Sequence, residues 1–194
     1  MSDIAVRRFD YLPVGLFASV MGLEGLSAAW RLAGAHFGLP GWPSLALGVA
    51  GIVAFAALAV AYVIKAAVAP DAVRAEFNHP IAGNLFGAIF ISLLLLPFGI
   101  APFSLMAARI VWAGGTIGML GFAWLIVGRW LSDRQQVAHA TPAWIVPVVG
   151  LLDVPLAMPL LDLPELHGLA VFSVAVGLFF AVPLFTLIDR KSVV

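Results

Sequence analysis

Two carboxylic acids, Glu24 and Asp153, lie deep inside long apolar segments, where ionisable side chains are rare. A charged carboxylate at the centre of a bilayer costs at least about 2.5–3.5 kcal/mol, so each should be paired, hydrated or protonated. One interpretation is a polar station on a permeation path. The other is a pair of neutral carboxyls that are hydrogen-bonded between packed helices. The sequence leaves both interpretations open.

Enzyme chemistry has no comparable candidates. The chain has no cysteine, which excludes thiolate metal ligands and a cysteine nucleophile. It contains no Gly-x-Ser-x-Gly or His-Glu-x-x-His motif, and Asp153 lacks the Gly-x-Gly-Asp setting of an intramembrane aspartyl protease. The histidines lie in loops or near helix ends, so no pair can ligate a haem across the membrane. We therefore predict no catalytic residues, no metal, no cofactor and no nucleic-acid partner.

Six long apolar segments, here called spans 1 to 6, contain nearly the whole chain. The predicted spans are residues 12–32, 43–64, 80–101, 103–127, 142–161 and 164–188. Each has about the 20 residues that a helix needs to cross the hydrocarbon layer. The composition is 63% hydrophobic and 10% charged, with a mean hydropathy of +1.09, which excludes a water-soluble domain. We predict an all-α integral membrane protein with a single transmembrane domain, residues 1–194, whose first partner is the lipid bilayer.

The basic residues collect on alternate connections between the spans. Those on one side are Arg7, Arg8, Lys65, Arg74, Arg129, Arg134, Arg190 and Lys191. Only Arg31 and Arg109 fall on the other side. The positive-inside rule therefore places both termini in the cytoplasm of a multi-pass inner-membrane protein. We expect Arg109 to extend to the outer headgroups, or alternatively to add positive potential to an anion pathway.

Prolines open the odd-numbered spans at a regular spacing. Pro13, Pro80 and Pro142 stand about 62 to 67 residues apart, which indicates three helical hairpins that enter the membrane from the same side. The hairpins would cover residues of about 12–64, 80–127 and 142–188. Such a repeat is parallel, with its axis along the membrane normal.

Internal prolines divide the spans into two kinds. Pro97 in span 3 and Pro147 in span 5 must break the helical hydrogen-bond pattern, and broken helices belong around a cavity. Spans 2 and 4 have no internal proline and look like scaffold. Gly114 and Gly118 give span 4 a small-residue face for helix packing. Kinked helices that serve only packing are the alternative to a cavity.

The two carboxyls are predicted to share a depth. Both lie roughly 17 Å from the cytoplasmic end of their spans, at 1.5 Å per residue. The comparable polar residue of span 3 is Ser92. The residues predicted to line a pore are Glu24, Ser92, Pro97, Gly150 and Asp153.

Several short motifs resemble a known family. They are Leu-Pro-Val-Gly at 12–15, Leu-Ser-Ala-Ala-Trp at 26–30, Val-Arg-Ala-Glu-Phe at 73–77 before His79 and Pro80, Gly-Gly-Thr-Ile-Gly at 114–118, and Thr-Pro-Ala-Trp at 141–144. Their order over nearly the whole chain resembles the bacterial tellurite-resistance protein TehA, the plant slow-type anion channels and the malic-acid transporters.

The resemblance implies a fold of ten helices in five hairpins, in which kinked odd helices line a pore and three subunits form a homotrimer. It also implies an anion conduit that is closed by a phenylalanine on the ninth helix. This chain would supply the first six helices and lack the last two hairpins, so no gate residue is assigned. We expect a channel or transporter for small anions or organic acids. The alternatives are a proton-coupled dicarboxylate transporter, in which Glu24 or Asp153 exchanges protons, and a truncated non-conducting subunit.

Overall fold

The computed structural model describes residues 12–132 and 141–192. Within those ranges the chain is helical and has no β-strand. The α-helices are α1 (Phe17–Phe37), α2 (Trp42–Val68), α3 (Pro70–Asn78), α4 (Gly87–Leu95), α5 (Pro97–Ile100), α6 (Leu105–Ser132), α7 (Val146–Val149), α8 (Met158–Leu161) and α9 (His167–Ser192). Short 3₁₀ helices are Val14–Leu16, Ala82–Phe86, Pro142–Ile145, Gly150–Asp153 and Pro164–Leu166. Arg7, Arg8 and Arg134, named above, lie outside the described residues.

Five helical stretches in the described residues are long and apolar enough to cross a membrane. They are Trp42–Val68, Ala82–Ile100, Leu105–Trp130, Pro142–Leu161 and Pro164–Asp189, which correspond to predicted spans 2 to 6. Span 1 forms the 21-residue helix α1, long enough to cross, but it is not among the five. Glu24 and Arg31 lower its mean hydropathy. The all-helical membrane class is confirmed, whereas a sixth crossing, the parallel repeat and the ten-helix fold stay predictions.

The positions of the internal prolines determine which spans are continuous and which are interrupted. α2 and α6 run unbroken for 27 and 28 residues. Span 3 starts as a 3₁₀ helix, continues as α4, and is interrupted at Leu96, because Pro97 has no N–H to donate. Span 5 consists of short α and 3₁₀ pieces joined by a turn. The predicted breaks in spans 3 and 5 are thus confirmed, while Pro183 leaves α9 continuous.

The interrupted spans lie at the centre of the bundle. In their most apolar windows, 61% of residues in span 3 and 56% in span 5 are buried, against 17% in spans 2 and 6. A shared core joins spans 3, 4 and 5, and includes Ile91, Leu94, Met119, Leu151 and Val154. Irregular backbone is tolerated at membrane depth only where protein or water covers it. The central position of the two interrupted spans meets that condition.

Glycines set the closest contacts between the elements. A Cβ on Gly48 of α2 would lie 2.7 Å from the Gly99 Cα in α5, so the two backbones touch directly. Gly118 of α6 lies against the Phe90 ring, and its role in helix packing stays a prediction. Gly114 is exposed, and a Cβ there would meet no atom of the described residues within 4 Å. Helix packing through Gly114 stays a prediction.

Candidate functional site

Glu24 is fully buried between α1 and α2. Its carboxyl rests against Gly51 of α2, where a Cβ would overlap it. Neither carboxyl oxygen has a hydrogen-bond partner among the described residues. A neutral carboxyl in such surroundings is far less costly than an ionised one, because no donor or cation compensates for the lost water. Glu24 is therefore packed between two helices without a hydrogen bond among the described residues, and both interpretations of its role stay open.

The next turn of the same contact is polar but fully hydrogen-bonded. The Ser27 hydroxyl donates to the backbone oxygen of Ser44 at 2.8 Å, and the Ser44 hydroxyl donates to that of Ser27 at 2.9 Å. Both serines are buried. We call Glu24, Ser27, Ser44 and Gly51 the α1–α2 seam. The seam therefore places an unpartnered acid one turn away from a satisfied pair of hydroxyls.

Ser92 of α4 connects the start of α1 to span 3. Its buried hydroxyl lies 2.7 Å from the backbone oxygen of Ala88 and 3.2 Å from that of Phe17. The hydroxyl has one proton, so it donates to one of these oxygens at a time. No hydrogen bond links Ser92 to Glu24 within the described residues, although α1 packs on α4. Lining of a path by Ser92 stays a prediction.

The other predicted pore residues lie in spans 3 and 5. Pro97 is fully buried, and Gly150 lies against Met119 of α6, so both face packed protein in the described bundle. Asp153 is half-buried in a 3₁₀ helix, and its carboxyl makes no hydrogen bond or ion pair within the described ranges. The structure does not join Asp153 to Glu24. A pore lined by these residues stays a prediction.

Side chains from α6 satisfy the carbonyls that the breaks in span 5 leave free. The Trp112 indole N–H donates to the backbone oxygen of Val154 at 2.9 Å. Arg109 donates through Nε to the Leu161 oxygen at 2.9 Å and through Nη2 to the Asp162 oxygen at 3.2 Å. These two bonds hold the guanidinium at the end of span 5, and the extension of Arg109 to lipid headgroups stays a prediction. The broken helix end offers it carbonyl acceptors that have no helical partner.

Glu76 and Lys65 form a charge cluster that the sequence did not reveal. The Lys65 ammonium, only 2% exposed, donates to Glu76 Oε2 at 2.6 Å and to the Leu12 backbone oxygen at 2.8 Å. The Tyr62 hydroxyl donates to the same Oε2 at 2.9 Å, and the Val14 N–H donates to Oε1 at 2.7 Å. The cluster ties the start of span 1 to the end of α2 and to α3.

Electrostatics at this cluster favour the ionised acid. Burial raises the pKa of the Glu76 carboxyl, but the hydrogen bonds from Lys65, Val14 and Tyr62 outweigh burial, and the pKa lies below its ordinary value. The sequence analysis counted Lys65 only as a cytoplasmic charge. A usable signal was present, because a lysine on a long apolar helix needs a partner once it is buried.

Metal chemistry has no support in the described residues. No group of three or more His, Asp or Glu side chains there is arranged to hold a metal ion. The polar features are instead a lone buried acid, a hydroxyl pair and a charge cluster at one end of the bundle. Such an arrangement can exchange a proton or order the helices.

These features define a class, a multi-pass helical membrane protein whose interrupted central spans are enclosed by continuous ones. The chain matches the SLAC1 family, described as voltage-dependent anion channel, over residues 11–193, and it belongs to that family. The predicted family is thereby confirmed.

Individual relatives share less than a third of their residues with this chain over the matched regions. Two proteins of Methanocaldococcus jannaschii that are named as uncharacterized transporters are 28% and 30% identical, each over 78% of this chain. The S-type anion channel SLAH3 of Arabidopsis thaliana is 29% identical over 71% of this chain. The matched regions cover 45%, 44% and 23% of these relatives, so the chain spans less than half of their length.

Proposed function

We propose that this chain forms part of the wall of a membrane channel or transporter for small anions or organic acids. Membership of the SLAC1 family supports an anion pathway. The observation that carries the proposal is the pair of interrupted spans at the centre of the bundle, where side chains of α6 cover freed carbonyls of span 5. Irregular backbone enclosed by continuous helices is typical of transport proteins.

The proposed architecture has six crossings in three parallel hairpins, with both termini in the cytoplasm. α1 would be the first crossing, because 21 residues extend about 31 Å at 1.5 Å per residue. The wall would be completed by two further hairpins, and three such pores would associate as a homotrimer. The α1–α2 seam and Asp153 would then supply polar groups at or near the path.

Flux measurements test this proposal. Residues 1–194 alone should show little anion flux in liposomes, because three hairpins supply only part of the wall. A longer protein that carries two additional hairpins of a relative should conduct chloride or malate. Selective flux from a demonstrated monomer of residues 1–194 would contradict the five-hairpin architecture. Stable oligomers of the longer protein without any flux would favour a non-conducting subunit.

Proton-coupled dicarboxylate transport is the second candidate, and one observation favours it. Glu24 is buried, and neither of its oxygens has a partner among the described residues, so its protonation is the main electrostatic variable in the seam. In the conducting protein, malate uptake should acidify the vesicle interior, and Glu24→Gln should abolish acidification while malate still exchanges. Flux that is independent of any proton gradient, before and after the substitution, would leave the channel as the function.

A further inference from the structure

A polar cavity of about 200 Å³ lies at the end of the bundle where α3 meets the start of span 3. Its lining includes Asn78, His79, Asn84, Arg129 and Trp130. One water molecule needs only about 10–15 Å³ by this kind of measure, so the cavity has room for a small solute. None of the residues in this lining is a carboxylic acid. The cavity is separate from the α1–α2 seam.

Arg129 brings a positive charge to this cavity. Its guanidinium lies 4.4 Å from the centre of the Phe77 ring, and Nη1 donates to the Phe77 backbone oxygen at 3.2 Å. No carboxylate pairs with Arg129 within the described ranges, where Glu76 is bound to Lys65 instead. A guanidinium has five N–H donors, and Arg129 uses one of them on the part of the chain that the structure describes. A half-buried arginine in this state favours an anionic ligand.

His79 adds a second donor. Its Nδ1 accepts the backbone N–H groups of Ile81 and Ala82, both at 3.2 Å. A ring nitrogen that accepts hydrogen bonds carries no proton, so the neutral imidazole holds its proton on Nε2. The tautomer is therefore fixed by the backbone at the start of span 3. The Nε2–H is left to donate to another group.

Asn84 contributes a buried polar side chain to the cavity, which distinguishes it from a surface depression. It is 5% exposed, and its Nδ2 donates to the Pro80 backbone oxygen at 2.9 Å. Its side-chain oxygen can accept a hydrogen bond from a ligand hydroxyl. Trp130 completes the lining and stacks on Trp144 with ring centres 6.0 Å apart. A charge, a fixed donor and an acceptor thus surround one small volume.

We propose that this cavity binds a phosphate-type oxyanion, either inorganic phosphate or the phosphate headgroup of a lipid. Arg129 supplies the charge and the paired donors that oxyanions prefer, and His79 supplies a further N–H. This assignment goes beyond anion transport and holds whether or not the chain conducts.

Matched arginine substitutions test the site in the whole chain. Arg129→Gln removes the cavity charge, and Arg74→Gln removes an equal charge from an exposed position on α3 that does not line the cavity. Inorganic phosphate is titrated calorimetrically into protein in neutral detergent at constant ionic strength. Phosphatidylglycerol and phosphatidylcholine adducts are compared by native mass spectrometry. We expect Arg129→Gln to weaken binding roughly ten- to hundredfold and Arg74→Gln to leave it unchanged.

The pattern across probes identifies the source of the oxyanion. Saturable phosphate binding that depends on Arg129 indicates the free ion, and Arg129-dependent adducts of phosphatidylglycerol alone indicate the lipid. His79→Asn keeps an acceptor for the backbone N–H groups but removes the Nε2–H, so it should weaken binding with no change in helical circular dichroism. If the Arg129→Gln variant does not fold, His79→Asn serves as the test in its place. Equal binding by the Arg129→Gln and Arg74→Gln variants, or no saturable binding of either probe, would overturn the proposal.

Discussion

Glu76 and Glu24 are two glutamic acids of the same molecule that have opposite surroundings. Glu76 accepts hydrogen bonds from Lys65, Tyr62 and the Val14 N–H, and it joins three segments. Glu24 is more deeply buried, yet neither of its oxygens has a partner in the described residues. Folding stabilises the ionised form of the first and offers nothing to the ionised form of the second. Glu76 therefore stabilises the fold, whereas Glu24 remains available for another role.

The largest expected effect is on the charge cluster. Lys65→Met should lower the free energy of unfolding by roughly 3–5 kcal/mol, because it leaves the Glu76 carboxylate buried without its cation. SDS-induced unfolding in detergent micelles measures the loss. Arg74→Met, on the exposed face of α3, is the matched control and should change stability by less than about 0.5 kcal/mol. Similar stabilities of the two variants would show that Glu76 does not depend on Lys65.

A smaller effect is expected where Glu24 meets Gly51. Gly51→Ala should destabilise the protein by roughly 1–3 kcal/mol, because the added methyl overlaps the Glu24 carboxyl. Gly25→Ala on α1 is the control, since no described atom lies within 4 Å of its Cβ position. The double variant Gly51→Ala with Glu24→Ala should lose less stability than the sum of the single variants. Additive losses of stability would show that Gly51 and Glu24 do not interact.

Lowering the pH should weaken the stabilisation that the Glu76 cluster provides. The folded-state pKa of Glu76 is lowered, so its contribution is complete above the unfolded-state pKa of about 4.3. It is lost as the pH falls from there through the folded-state value. Unfolding measured between pH 7 and pH 3 should show this loss, and Glu76→Gln should flatten the dependence. An unchanged pH profile in that variant would assign the acid sensitivity to other groups.

The smallest expected effect on stability is at Glu24 itself. Glu24→Met should change the free energy of unfolding by less than about 1 kcal/mol, or increase it, because Glu24 makes no hydrogen bond to the described residues. Glu76→Met, the same substitution at the partnered acid, should be clearly more destabilising. Thermal unfolding of both variants in detergent compares them directly. Equal losses would show that Glu24 has a partner in the folded protein.

Hydropathy and proline positions predicted most of the fold, because both act within a single segment. Apolar runs predicted spans 2 to 6, and Pro97 predicted the interruption at Leu96. Span 1 was harder, because the same Glu24 that marks it as interesting lowers its hydropathy. Local patterns thus identify helices well, but a charged residue within an apolar run weakens the hydropathy signal of a membrane crossing.

The contacts of the site depended on packing that no local pattern records. Lys65 and Glu76 meet because α3 folds back at the end of α2, and Arg109 meets Leu161 across 52 residues of chain. Counting charges by side assigned both cations to the membrane surface. The family resemblance did include the segment that carries Glu76, but not its partner. Long-range pairing of charges was therefore the part that the sequence alone could not supply.

The contact of Gly48 with Gly99 restricts how the bundle can move. Two backbones that touch without side chains have no rotamers through which to slide or adjust, so the tip of span 3 beyond Leu96 is mechanically coupled to α2. Displacement of that tip must carry the whole second helix with it, or bend the chain at the interruption beside Pro97. The tip of span 3 and α2 are therefore expected to move together.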